Sequence, residues 1–359
     1  MPTPPSTPIR VGILGATGAV GQQFVRLLEG HPWFQVTALA ASPRSAGKLY
    51  PEAAHWLHAE PIPDAIAELV VQPTEPDLDC ELVFSGLDAS VAGEAEAAFA
   101  SAGYAVVSNA RNHRMADDVP LLIPEVNPDH LDLIERQGYG GGFIVTNPNC
   151  STVGLVSALA PLHQRWGVEA VQVTTLQALS GAGYPGVASL DALGNVVPHI
   201  GGEEDKLATE PLKLLGLVGE EGIENASFVV SAQCNRVPVM EGHTLCISVR
   251  LTGDPSADEV AGALRNATNP LSGLGLPTAP DRYVEVLDDP SHPQPRLHVQ
   301  RGGGMTTTVG RIQPCPNFGI QFVALVHNTI RGAAGGAILN AELLASRGTL
   351  GARYAARTS

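Results

Sequence analysis

The chain has few of the residues that mark a cross-linked or membrane-embedded protein. Its 359 residues include only five Cys, and no two of them form a Cys-x-x-Cys pair, which favours a reduced, cytoplasmic protein without disulfides. The longest apolar stretches, around 153–162 and 320–326, are far shorter than the roughly 20 residues that a membrane helix needs. The first eight residues lack an apolar core, so we expect neither a signal peptide nor an anchor there.

Positive charge is also scarce. The 21 Lys and Arg are outnumbered by 36 Asp and Glu, which gives a formal net charge of −15. Nucleic acids and anionic membranes bind basic surfaces, so neither is an expected partner. A small anionic substrate remains compatible with a local cationic pocket. The length predicts two domains of about 150 residues each.

The first part of the chain predicts an open α/β domain. Residues 9–14 form an apolar run that ends at a glycine-rich turn, residues 20–28 have helical periodicity, and residues 34–41 form a second apolar run. A strand, a helix and a second strand make a βαβ unit, which implies a parallel sheet. The same alternation continues to about residue 147. We therefore predict a Rossmann-type domain over residues 1–149.

The second part has a different pattern. Longer alternating runs follow Ser151, for example at 168–179, 244–251 and 318–326. Such alternation predicts a mixed, mostly antiparallel sheet with one covered face. We expect an α+β catalytic and dimerisation domain over residues 150–327.

A glycine-rich turn lies between the first strand and the first helix. Gly15, Gly18 and Gly21 have the spacing that lets a backbone approach a pyrophosphate at a helix N-terminus. The turn could instead be purely structural, but its βαβ context favours a dinucleotide. The second strand is followed by Ser42, Arg44 and Ser45 and by no acid, which favours the 2′-phosphate of NADP over the ribose of NAD. The alternative for this segment is a solvated loop.

Cys150 and His243 are the side chains with the strongest chemical interest. Cys150 lies between a strand and the start of a helix, where a thiolate is stabilised, although a single Cys is often only a small buried residue. His243 lies in a segment rich in Pro and Gly between two strands, where a proton shuttle could lie. His55 and His58 lack further ligands, so no metal site is predicted.

Ten short sequence motifs occur along the chain in the same order as in a known protein family. The chain resembles the aspartate-semialdehyde dehydrogenase family over nearly its whole length, and GAGYPG with NVVPHI resembles the long-chain branch of that family. The fragments are GATGAVG, SPRSAGK, SNARNHRM, PEVN, TNPNCST, LQALSGAGYPG, GGEEDK, CNRVPVMEGHT, VGRI and HNTIRGAAGGA.

The resemblance implies an activity and an assembly. The expected reaction is the NADPH-dependent reductive dephosphorylation of L-4-aspartyl phosphate to L-aspartate 4-semialdehyde, in the biosynthesis of lysine, threonine, methionine and isoleucine. The resemblance also implies a homodimer or homotetramer, and a C-terminal helix, 328–359, that completes the NADP-binding domain.

The resemblance further implies roles for individual residues. Cys150 would be the acylated nucleophile, His243 the acid and base, and Gln177 an active-site residue that orients the substrate. The expected substrate contacts are Arg236 for the α-carboxylate, Glu203 for the α-ammonium, and Lys206, Arg114 and Asn112 for the phosphate. With Gly15 and Ser42, the expected cofactor contacts are Thr17, Gly18, Ala19, Val20, Arg44, Ser45, Ser180, Gly181 and Asn328.

Some alternatives stay open at the level of the sequence. Taken singly, Glu203 and Lys206 also fit a solvated helix start. Glu204 could take the role of Glu203, and Arg111 that of Arg114. Among enzymes, an acyl-CoA reductase such as malonyl-CoA reductase and an N-acetyl-glutamyl-phosphate reductase share the Cys and His machinery. A non-catalytic NADP-binding redox sensor would need the thiol but no substrate clamp.

Overall fold

The parallel sheet near the N-terminus has the strand order β3-β2-β1-β4-β5-β6 in a computed structural model that describes residue 5 and residues 7–350. Every neighbouring pair in this sheet is parallel. The strands are short and mostly buried, as expected for a sheet covered on both faces. They are β1 (Ile9–Leu14), β2 (Phe34–Ala41), β3 (Gln72–Pro73), β4 (Leu82–Ser85), β5 (Ala105–Ser108) and β6 (Phe143–Thr146).

Helices connect these strands. The first begins directly after the glycine turn and buries Phe24, whose ring stacks on Phe84 of β4 at 4.9 Å between centroids. This contact fixes the helix against the sheet, so that its N-terminus lies at the carboxyl edge of the strands. The helices are α1 (Ala19–Leu27), α2 (Tyr50–Ala53), α3 (Asp64–Ala67) and α4 (Ala89–Ser101), with a 3₁₀ segment at Pro128–Arg136.

A second six-stranded sheet has the order β10-β7-β11-β14-β13-β12. Its central pairings are antiparallel and its two outer pairings are parallel, so the predicted α/β fold class with a mixed second sheet is confirmed. Its strands are β7 (Val168–Gln177), β10 (Val229–Arg236), β11 (His243–Leu251), β12 (Val284–Leu287), β13 (Thr307–Cys315) and β14 (Gly319–Val326), and β8 (Leu217–Val218) pairs separately with β9 (Ile223–Glu224).

One face of this second sheet is covered by helices. Every second residue of β11 is buried, and the apolar side chains of this face share a core with those of the long helix that begins at Cys150. The helices of this part are α5 (Cys150–Trp166), α6 (Ser189–Ala192), α7 (Glu203–Leu214), α8 (Ala257–Arg265) and α9 (Pro295–His298), with 3₁₀ segments at Leu179–Ala182 and Arg301–Gly304.

The last described helix returns to the first sheet. A π-helical turn at Ile330–Ala334 leads into α10 (Gly335–Ser346), and buried residues of α10 share a core with those of β1 and β2. Residues 351–359 of the predicted terminal helix lie outside the described residues. No helix within the described ranges is both long and apolar enough to cross a bilayer.

Candidate active site

Cys150 is the first residue of α5, four residues after the end of β6. The helix begins there because Asn149 caps it: the Asn149 Oδ1 accepts from the backbone N–H groups of Ser151 at 2.9 Å and Thr152 at 3.2 Å. Gly332 of the π-helical turn packs against this start so closely that a Cβ there would lie 2.6 Å from the Cys150 Cβ. The thiol therefore has a fixed position at the carboxyl edge of the parallel sheet.

The environment of Cys150 does not favour its thiolate in the ligand-free protein. Burial, reinforced by the Glu203 carboxylate, raises the pKa of the Cys150 thiol to about 12, against the opposing effects of Arg114, Lys206 and the Ser151 N–H. The stabilisation of a thiolate that the sequence suggested for a helix N-terminus is here outweighed by desolvation.

The Glu203 carboxylate accepts hydrogen bonds from three side chains near Cys150. Its Oε1 accepts from Lys206 Nζ at 2.7 Å, and Asn149 Nδ2 donates to both carboxylate oxygens at 2.9 Å. Gln177 Nε2, at the end of β7, donates to Oε2 at 3.1 Å. These charge-assisted bonds hold the pKa of the Glu203 carboxyl below its usual range although burial alone raises it. The nearly buried carboxylate therefore stays ionised and joins the start of α5 to Gln177.

The two open alternatives in the sequence differ clearly in position. Glu204 is exposed and accepts from the backbone N–H of Cys234, so it is Glu203 that contacts Asn149. Arg114 is nearly buried, pairs with Glu210 at 2.8 Å, and lowers the pKa of Cys150, whereas Arg111 is exposed.

A second carboxylate, that of Glu210, stabilises the position of Arg114 and the start of α5. Glu210 accepts from Arg114 Nη1 with Oε1 and from the backbone N–H of Asn149 with Oε2, at 2.7 Å. It thus fixes the arginine and the cap of α5 together. Asn112 is exposed, and its amide donates to the carbonyl of Ala89 at 2.9 Å rather than to a member of this cluster.

His243, the first residue of β11, is fully buried. Its Nδ1 accepts from the backbone N–H of Ala178 at 3.0 Å, while Nε2 has no partner within the described residues. An accepting Nδ1 means that the neutral ring carries its proton on Nε2. A Cβ added at Gly181 would lie 3.1 Å from Nε2 and 3.0 Å from Arg236 Nη1, so the ring and the guanidinium flank the same glycine.

Arg236 ends β10 directly beside Gln177 in the parallel register with β7. Its Nη1 donates to the carbonyl of Ala178 at 2.7 Å. Burial lowers the pKa of Arg236, and the nearby Glu203 carboxylate and Cys150 thiol oppose that effect. Cys150, Glu203, Gln177, Arg236 and His243 therefore form one cluster.

The glycine turn has the shape of a phosphate cradle. Gly15 has φ +71°, and a Cβ there would lie 2.8 Å from the carbonyl oxygen of Gly86. Gly18 caps α1 without any side-chain hydrogen bond, so the N–H groups of the first turn are not used by a cap. Thr17, Ala19 and Val20 are partly exposed around it. These residues fit a dinucleotide diphosphate.

The residues after β2 are also accessible to a ligand. Ser42 and Arg44 are exposed and Ser45 is half-buried. The sequence from 42 to 48 contains two cations and no carboxylate, which suits a 2′-phosphate.

A third group of residues lies between the cradle and His243. Asn328 Nδ2 donates to Ser180 Oγ at 2.8 Å, and Ser180 Oγ donates to Glu241 Oε2 at 3.0 Å. Glu241 was not expected from the sequence, because an acid in a loop next to glycine resembles a solvated residue. Its position two residues before His243 was the available signal. Within the described residues, no three His, Cys, Asp or Glu side chains are placed to hold a metal ion.

The buried rings of His243 and His327 predict that the folded protein loses stability in acid. Burial, with the charge of Arg236, lowers the pKa of His243 to about 3, and burial with Arg26 lowers the pKa of His327 to about 4. Both rings protonate near pH 6.5 once the chain unfolds, so unfolding takes up protons and stability falls as the pH drops below that value. We expect each ring to remove up to about 1.4 kcal/mol of unfolding free energy per pH unit.

Urea denaturation between pH 7.5 and 4.5 measures this dependence. A His327→Gln variant should show a shallower dependence than the parent protein. An unchanged slope in the variant would contradict the assignment to His327.

Two family models match this chain. A family model for the NAD binding domain of semialdehyde dehydrogenases matches residues 10–134, and one for their dimerisation domain matches residues 159–331. An aspartate-semialdehyde dehydrogenase of Archaeoglobus fulgidus is 50% identical over 93% of this chain and 97% of its own, and one of Candida albicans is 49% identical over 94% and 98%.

Solved structures show the same relationship. A crystal structure of the Candida albicans enzyme with NADP has a TM-score of 0.89 at 47% identity and covers 95% of this chain and 99% of its own. An aspartate-semialdehyde dehydrogenase II of Vibrio cholerae has a TM-score of 0.75 at 26% identity and covers 94% and 99%. The resemblance of the motifs is confirmed, and the chain belongs to the aspartate-semialdehyde dehydrogenase family.

Proposed function

We propose that the protein reduces L-4-aspartyl phosphate with NADPH to L-aspartate 4-semialdehyde and phosphate. The observation that carries this proposal is the set of charges around Cys150: the Glu203 carboxylate, the Arg236 guanidinium, and the Arg114 and Lys206 cations that act on its pKa. The substrate carries an ammonium, a carboxylate and an acyl phosphate, and each finds an opposite charge in this set.

Cys150 is the nucleophile of the acyl-transfer step. Its sulfur attacks the acyl carbon, the carbon–oxygen bond to phosphate breaks, and a thioester forms while the thiol proton passes to the departing phosphate. Arg114 and Lys206 neutralise the leaving phosphate, since both already lie close enough to act on the pKa of the thiol. Arg236 binds the α-carboxylate as a fork, Glu203 binds the ammonium, and Asn112 stays a proposed phosphate contact.

Reduction of the thioester involves His243. Bound NADPH supplies the hydride. The N–H groups of Ser151 and Thr152 already donate to Asn149, so the buried Nε2–H of His243 is the donor that meets the oxyanion. His243 takes the proton back when the carbon–sulfur bond breaks and the aldehyde leaves. Gln177 orients the substrate through its contact with Glu203.

The cofactor is NADP, held by residues of three segments. The first turn of α1 takes the diphosphate, the segment after β2 takes the 2′-phosphate, and the third segment takes the nicotinamide end. The contacts are Gly15, Thr17, Gly18, Ala19, Val20, Ser42, Arg44, Ser45, Ser180, Gly181 and Asn328.

An Arg44→Ala variant tests the 2′-phosphate site. Loss of this exposed guanidinium should raise the KM for NADPH about tenfold, because a charge-assisted bond to the phosphate disappears. The KM for NADH, which has no 2′-phosphate, should stay within about twofold. Arg165→Ala, which removes an exposed cation near the end of α5, is the matched control and should leave both constants unchanged. Equal losses for both cofactors in Arg44→Ala would contradict this role.

The activity itself is tested by phosphate-dependent oxidation of aspartate semialdehyde, run in parallel with NADP and NAD. We expect reduction of NADP only when phosphate or arsenate is present. Malonyl-CoA and N-acetyl-glutamyl phosphate, offered with NADPH, separate the two related reductases from this function. Turnover of either one in preference to aspartyl phosphate would overturn the proposal.

Assembly, compartment and domain limits complete the proposal. The match to a dimerisation domain indicates a homo-oligomer, which we propose to be a dimer or a tetramer in the cytoplasm, acting in the biosynthesis of lysine, threonine, methionine and isoleucine. We assign residues 1–149 with 328–359 to the NADP-binding domain and 150–327 to the catalytic and dimerisation domain.

A further inference from the structure

Glu241 lines a cavity of about 360 Å³ that the first turn of α1 and the 3₁₀ segment after β7 also line. Ala19, from the first turn of α1, lines the cavity on one side, and Ser180 and Thr329 line it on the other. The side chain of Glu241 is 41% exposed. It is therefore a carboxylate that a ligand in the cavity can reach.

The contacts of Glu241 within the protein fall on one oxygen. Oε2 accepts from Ser180 Oγ at 3.0 Å and from Thr329 Oγ1 at 3.4 Å. Oε1 has no donor in the part of the chain that the structure describes. Of the two carboxylate oxygens, one is thus held by the protein and one is open to a ligand.

The orientation of Oε2 is fixed by a chain of directed hydrogen bonds. The backbone N–H of Gly242 donates to Asn328 Oδ1 at 2.8 Å, which sets the orientation of that amide. Asn328 Nδ2 then donates to Ser180 Oγ, so the hydroxyl hydrogen of Ser180 points to Glu241. Because each donor in the chain is committed, the carboxylate is oriented before any ligand arrives.

The charge of Glu241 decides which half of the dinucleotide it contacts. A carboxylate repels a diphosphate, so Glu241 does not face the group held by the first turn of α1. His243 follows two residues later at the reacting end of the site. A nicotinamide riboside bound between these points would bring its carboxamide to Glu241, and the N–H₂ group of that carboxamide is a donor that an open carboxylate oxygen matches.

We propose that Glu241 Oε1 accepts a hydrogen bond from the carboxamide N–H₂ of the nicotinamide and so fixes the orientation of the ring in the cleft. The inference rests on the proposed function, because it takes NADP as the cofactor. It adds a positioning contact to those expected from the sequence.

Binding of NADP to a Glu241→Gln variant is the first test. Glutamine has one acceptor oxygen, and if that oxygen keeps the Ser180 bond, its N–H₂ group meets the carboxamide N–H₂. We expect the Kd of NADP, measured by calorimetry, to rise about tenfold. The Kd of 2′-phospho-ADP-ribose, which has no nicotinamide, should change less than twofold. Glu68→Gln, an exposed carboxylate elsewhere, should match the parent protein for both ligands.

The 3-acetylpyridine analogue of NADP separates the carboxamide from the rest of the ring. It replaces the amide N–H₂ with a methyl group, so the parent protein should bind the analogue about tenfold more weakly than NADP. The Glu241→Gln variant should bind the analogue as tightly as the parent protein does, because the hydrogen bond is already missing. Unchanged NADP affinity in the variant would overturn the inference. The inference would also be overturned if Glu241→Gln lost as much affinity for the analogue or for 2′-phospho-ADP-ribose as it loses for NADP. A parent protein that binds none of these ligands would instead overturn the proposed function.

Discussion

Serine in place of Cys150 is expected to lower turnover by about 10⁴-fold or more while the Kd of NADPH stays within about twofold. A hydroxyl is far less acidic than a thiol, and an ester is a poorer acceptor of hydride than a thioester. The smaller oxygen fits the tight contact with Gly332, so the start of α5 should keep its shape. The loss would therefore report chemistry rather than folding.

Release of phosphate without cofactor makes this prediction sharper. Mixed with aspartyl phosphate alone, the parent protein should release one equivalent of phosphate per site as the thioester forms, and Cys150→Ser should release none above the spontaneous rate. Cys315→Ser changes a thiol on β13 and should behave like the parent protein. A phosphate burst or sustained turnover in Cys150→Ser would remove this thiol from the mechanism.

The sequence predicted the elements well where burial is continuous. The apolar run at 34–41 matches β2 residue for residue, because the part of the strand from Ala38 to Ala41 is continuously buried and leaves no ambiguity in its pattern. The sequence placed Cys150 between a strand and the start of a helix, whereas the Asn149 cap lets α5 begin at Cys150 itself.

Much of the site could not be predicted because its contacts join distant residues. Glu203 meets Asn149 across 54 positions, and Glu210 meets Arg114 across 96. No periodicity connects such pairs, and only the resemblance indicated that Glu203 belongs near Cys150. Glu210 escaped attention because its function is to hold other residues, which leaves no motif of its own.

The protonation of the site was equally hidden. The sequence placed Cys150 at a helix N-terminus and suggested a stabilised thiolate, but burial raises the pKa of the thiol. Burial depends on how α5, α7 and the π-helical turn pack around the residue. A prediction from local sequence therefore gives the position of the nucleophile but not its charge.

His243→Ala is expected to lower kcat about 10³-fold, and His243→Gln only about 10²-fold. The backbone N–H of Ala178 holds Nδ1 as an acceptor, so the ring presents Nε2–H to the oxyanion. A glutamine amide can also donate a hydrogen bond at about this position, but it cannot transfer a proton. The difference between the two variants measures hydrogen bonding, and the loss that remains in Gln measures proton transfer.

Both variants need a control for the fold, because either substitution disturbs a fully buried ring. NADP affinity and the phosphate burst provide one, since neither requires the proton transfer assigned to His243. We expect both to survive in His243→Gln, with the defect confined to the reduction step. Equal losses in Ala and Gln would show that the Nε2–H bond contributes nothing by itself, and a lost phosphate burst would place His243 instead at the deprotonation of Cys150. The Ala178 N–H donates to Nδ1, so Nε2 carries the ring proton. Because Nε2 already carries a proton, it cannot accept one from the Cys150 thiol. We therefore expect formation of the thioester to be independent of His243.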